Sequence, residues 1–113
     1  MEDGDDFERF VEEAVAAIPA ELRDRISNVV IVVDDEPGDP RLLGLYQGVP
    51  LTRRGLSYSG ALPDKITIFR APLERLYGAD RERLRTETKR VVLHEFAHHF
   101  GISDQRLIDI DRY

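Results

Sequence analysis

RERLRTETKRVVLHEFAHHFG, residues 81–101, reads as one long helix with both of its ends marked. Asp80 precedes it as an N-cap candidate, no proline interrupts it, and Gly101 follows where a left-handed C-cap residue belongs. The spacing predicts a helix from Asp80 to about Phe100. Its second half, VVLHEFAHHF (91–100), is apolar at almost every angle around the axis. Leu93, Phe96 and Phe100 cover one side, while Val91 and Val92 point elsewhere. A helix that is apolar all round is a buried one. Three histidines and a glutamate inside such a segment need partners, because each unpaired buried polar group costs about 1–3 kcal/mol.

Working outward, residues 7–18 place Phe7, Phe10, Val11, Ala14, Val15 and Ile18 at helical spacing, and Pro19 stops that helix. VVIVV (29–33) is short, β-branched and bounded by Asn28 and DDEPGDP, so it reads as a buried strand. LLGLYQGVPLT (42–52) reads as a second strand, a bend at Gly48–Pro50 and a short return strand. A Gly- and Ser-containing loop, RRGLSYSGALPD, leads to a strand at ITIF (66–69). Pro72 suits the first turn of a short helix ending near Tyr77–Gly78. Ser103 can cap a final helical turn or two reaching Ile110. The expectation is a single α+β domain over residues 1–113, a small twisted mixed sheet packed on one long helix, with residues 1–6 a solvated acidic tail.

The chain has 113 residues, enough for one core. A net charge of −6, with Arg81, Arg83 and Arg85 interleaved with Glu82 and Glu87, argues against a nucleic-acid partner. No apolar run approaches the roughly 18 residues of a membrane span. The N-terminus, MEDGDDFERF, is acidic where a secretory signal would be basic and then apolar. Cysteine is absent, so disulfides and thiolate ligands are excluded. A soluble cytoplasmic domain is the default expectation.

HEFAHHFGISD (94–104) carries the chemistry. His94 and His98 lie four apart, about 40° around a helix axis and one turn along it, so both imidazoles can aim at one point. Glu95 is rotated by about 100° from His94, outside the ligand direction but within reach of a metal-bound water. Gly101 lets the chain turn sharply, and Asp104 can return a carboxylate to the same point. Two His and one Asp leave a fourth position open for water, the mark of a catalytic rather than a structural zinc. A bare HExxH arises by chance in roughly one chain of this length in several hundred. Here it sits on a well-marked helix that holds all three histidines of the chain within six residues. Asp104 has an alternative use, capping the last helix beside Ser103. His99, turned by about 100° from His98, cannot share its ligand direction and is expected to pack against or support the site. On that expectation His99→Phe or His99→Tyr keeps the metal at little cost in stability.

The motif resembles the extended HExxHxxGxxH/D signature of zincins, with Asp in the third ligand place. VVIVVDDEP, LLGLYQGVPLT, LPDKITIFRAPLERL and RVVLHEFAHHFGISD are together similar to segments of a bacterial family of minimal zincin-like metallopeptidases. The resemblance implies a zincin-like fold, one zinc ion, ligands at His94, His98 and Asp104, and Glu95 as general base. Two departures from the larger metzincins stand out. The only methionine is Met1, so no methionine turn lies beneath the metal, and nine residues follow Asp104 where relatives build a pocket wall. The cleft is then either shallow and open or completed by a partner or a second copy. Zincins pair an extended peptide with an edge strand; ITIF or the segment at Leu45–Tyr46 is expected to supply it. Tyr46 and Tyr58 are candidates for oxyanion stabilisation, with packing or surface roles the plainer alternative.

The leading expectation is a zinc-dependent peptidase acting on a peptide or protein. Its rival is a non-catalytic zinc-binding module that holds a peptide or partner, and a weaker third is hydrolysis of a non-peptide amide. Retention of Glu95 favours the enzyme.

Overall fold

In the computed structural model of the chain, the residues described are 3–26, 28–49 and 63–101. Their order is α1 (Asp3–Ala16), α2 (Ala20–Arg23), β1 (Val29–Asp34), β2 (Gly44–Gln47), β3 (Asp64–Phe69), α3 (Arg70–Tyr77) and α4 (Arg81–Phe100). The architecture is α+β, with a three-stranded mixed sheet ordered β1-β3-β2. β3 runs parallel to β1, with Val29 opposite Asp64 and Asp34 opposite Phe69. It runs antiparallel to β2, with Gly44 opposite Ile68 and Gln47 opposite Lys65.

β3 takes the centre because its chemistry suits burial. Every residue of DKITIF except Lys65 is buried, the near-continuous pattern of a strand covered on both faces. This corrects one expectation: ITIF has a neighbour on either side and cannot be the edge that accepts a peptide. β2 remains the candidate, since among the described residues it pairs with β3 alone.

The core is one cluster. Phe7, Phe10, Val11, Ala14 and Ile18 of the α1 stripe and its exit meet Ile66 and Ile68 of β3, Leu73 of α3, and Leu84, Val92 and Phe96 of α4. Val15 sits half-buried at its rim. Two differences from expectation lie at the N-terminal end. α1 begins at Asp3, inside the acidic segment expected to be a solvated tail. A carboxylate in the first turn, such as Asp6, is favoured by the helix dipole, and Asp6 also pairs with Arg81 at the start of α4. Pro19 does end α1, but it also opens the short α2, a position where its missing N–H costs nothing.

α4 has the ends its sequence marks. The Asp80 carboxylate accepts from the backbone N–H groups of Glu82 (3.0 Å) and Arg83 (3.2 Å). Gly101 closes the helix at φ 83°, the left-handed conformation that glycine adopts without strain. Every residue from Val91 to Phe100 is buried or half-buried. Among the described residues no helix is long and apolar enough to cross a membrane.

Candidate metal centre

His94 and His98 sit one turn apart on α4, and Glu95 and His98 lie against β2. The contact is close because β2 begins with glycine: a Cβ on Gly44 would stand 2.7 Å from Val91 Cγ1 and 3.1 Å from Glu95 Cγ. Two residues further along β2, the Tyr46 ring lies nearly parallel to the His98 ring, with centroids 6.3 Å apart and planes 20° apart. The strand therefore tracks the helix from Val91 to His98. A glycine inside a strand pattern is the sequence sign of such an approach.

The two imidazoles have the separation a shared ligand requires. Their ring centres are 5.0 Å apart with planes at 76°. With zinc–nitrogen bonds of about 2.0–2.1 Å, two imidazoles at a tetrahedral angle have centres about 5 Å apart. Among the described residues no third His, Cys, Asp or Glu joins them to complete a metal-binding group. Asp104, the third ligand expected from the sequence, lies outside those residues, as does Tyr58.

Glu95 is the unusual group. It is only 8% exposed, and among the described residues no hydrogen-bond or ion-pair partner meets its carboxyl. Burial alone pushes its pKa up from 4.5 to about 7. Burying a carboxylate is costly, and carboxyls with raised pKa gather at functional sites. The sign for stability follows. The fold holds the Glu95 proton more tightly than the unfolded chain does, so the stabilising contribution is complete below about pH 4.5 and is lost as pH rises through about 7. Metal-free protein in chelator should therefore lose about 2 kcal/mol more stability between pH 5 and pH 8 than Glu95→Gln does. Parallel denaturant titrations of the two proteins give this difference, and equal slopes would refute it.

His99 is fully buried, with its ring near those of Phe96 and Phe100. Its Nδ1 lies 2.9 Å from Asp64 Oδ2, and Asp64 is itself only 2% exposed. The same Oδ2 accepts from the Tyr46 hydroxyl at 2.5 Å, and Oδ1 accepts from the Val49 N–H at 3.3 Å. Two expectations change. The Tyr46 O–H is donated to Asp64, so it does not serve as an oxyanion donor in this arrangement. Exchange of His99 for Phe is no longer cheap, because it strips a buried carboxylate of a donor. His99→Phe should cost on the order of 3 kcal/mol, read from denaturant midpoints; a loss below about 0.5 kcal/mol would show that Asp64 is satisfied without it. Asp64 carried no sequence signal of its own. It stands at the end of a loop motif, LPD, and nothing nearby in the chain marks it for burial.

A sequence profile of the zincin-like metallopeptidases matches residues 26–113, most of the chain. The chain belongs to that family. Membership in the zincin-like family implies zinc binding and a metallopeptidase role. The matched region takes in the whole sheet, α3 and α4, and α1 precedes it as a helix packed on α4. No curated protein matches the chain in sequence.

Proposed function

We propose that this protein is a zinc-dependent peptidase whose metal is held by His94, His98 and Asp104 and whose general base is Glu95. The observation that carries the proposal is the Glu95 carboxyl, buried and raised in pKa beside two imidazoles spaced for one ion. A zinc ion there would supply an activated water and polarise the scissile carbonyl. With the ion bound, Glu95 would be the residue placed to accept a proton from the attacking water at its carboxylate and to return it to the departing amine. Its raised pKa places it near neutrality, where a group can both accept and return a proton. The half-buried histidines are neutral ligands only when deprotonated, so metal affinity should fall in acid.

β2 is the proposed substrate edge. An extended peptide added to its outer side would lie along α4, with its backbone beside His98 and Glu95. A pure binding module on the same scaffold has no use for a buried carboxyl poised to titrate near neutrality, which is why the enzyme is preferred. Metal analysis of the purified protein, run beside digestion of a broad peptide library, tests the reading. About one zinc per chain together with cleavage supports it. Zinc and peptide binding without any cleavage would leave the module.

A further inference from the structure

Asp64 draws four parts of the chain onto one carboxylate. It opens β3, it accepts from Tyr46 of β2 and from Val49 beyond β2, and it lies against His99 in the last turn of α4. Gly48 makes the approach feasible. At φ 155° the chain wraps so closely over Asp64 that a Cβ on Gly48 would stand 2.3 Å from its carboxyl carbon. The Tyr46 ring, anchored at its hydroxyl, lies edge-on to His99 at 6.2 Å and along His98 at 6.3 Å.

These contacts go beyond what a core needs. A three-stranded sheet already holds β2 to β3 through its ladder, and an apolar pair in place of Asp64 and His99 would pack without desolvating a carboxylate. What the ladder does not fix is the distance between the end of β2 and the helix beside it. We propose that Asp64 is a positioning residue which, through Tyr46 and His99, latches the C-terminal end of β2 to the last turn of α4 and so sets the spacing between the peptide-accepting edge and the metal pair. The holding role stands on the contacts themselves; its consequence for peptides rests on the peptidase reading above.

Tyr46→Phe tests the latch in the full-length, zinc-loaded protein, since it keeps the ring and removes only the hydroxyl. Hydrogen exchange of the amides at residues 44–49 should quicken about tenfold, the effect of one lost hydrogen bond to a charged group, while α1 and the middle of α4 are unchanged. In a Glu95→Gln background, affinity for a peptide that the wild type cleaves should fall about tenfold. With Glu95 present, KM should rise with little change in kcat. Zinc affinity by chelator competition should stay within about threefold, and the visible spectrum of the cobalt-substituted protein should be unchanged. Asp64→Asn should give the same pattern more strongly, and where it does not fold Tyr46→Phe decides alone. Unaltered exchange at 44–49 overturns the latch, as does a uniform rise across α1, α3 and the sheet, which would mark Asp64 as ordinary core. Faster exchange with undiminished peptide affinity overturns the positioning role, and so does loss of zinc. If the wild type engages no peptide at all, the peptidase reading fails, and the exchange measurement still judges the latch.

Discussion

Glu95→Gln should fold, keep its zinc and lose nearly all hydrolysis, on the order of the 10²- to 10⁴-fold that general-base catalysis contributes. Gln matches Glu in volume and hydrogen-bonding reach but cannot take a proton. The side chain is buried against Gly44, where a change of shape would disturb the packing and a change of charge alone should not. The exchange also removes the cost of a desolvated carboxyl. At pH 8 the metal-free variant should therefore be at least as stable as the wild type, even as activity disappears. Initial rates on a cleaved peptide, with metal content measured on the same samples, give the result. A variant that cleaves at the wild-type rate would remove Glu95 from the mechanism.

The second large effect concerns the imidazoles. His98→Ala or His94→Ala should abolish stoichiometric zinc, and Asp104→Ala should weaken it. With free zinc about 1,000-fold above its dissociation constant, the ion adds about 4 kcal/mol of stability to the wild type. Both His variants should lack that increment, and their melting temperatures should no longer respond to chelator. His98→Ala has a further consequence that His94→Ala lacks, because the ring lost is the one that Tyr46 lies along. Wild-type protein whose melting ignores zinc and which binds none under saturating conditions would refute the metal site itself.

The sequence makes α4 legible to within a residue at each end, because its caps are local chemistry. The Asp80 carboxylate reaches N–H groups two and three residues on, and Gly101 adopts a conformation that few other residues tolerate. The α1 stripe was equally plain, apart from its start. Strand order was not, because ITIF reads as strand whether it is central or at the edge. Only its burial on both sides places it between β1 and β2. The site divides in the same way. His94, Glu95 and His98 follow from helical spacing, whereas the Asp64–His99 pair joins residues far apart in the chain and leaves no periodic trace. The turn of His99 away from His98 around the helix is legible in the sequence, but the carboxylate it meets could not be foreseen.

The strand order has a consequence for how the chain acquires its shape. β3, the strand that both others need, is the last of the three in sequence, and each rung of its parallel ladder joins residues about a third of the chain apart. On a ribosome, VVIVV emerges before Asp64–Phe69, the strand it pairs with, and among the described strands it has no other partner. Such long-range parallel pairing is slow, because the loop must close before any contact rewards it. Until then an apolar β-branched segment waits with its backbone unpaired, the condition under which nascent chains associate with one another. Yield in a recombinant host should therefore depend on translation rate and temperature more than the stability of the finished protein would suggest.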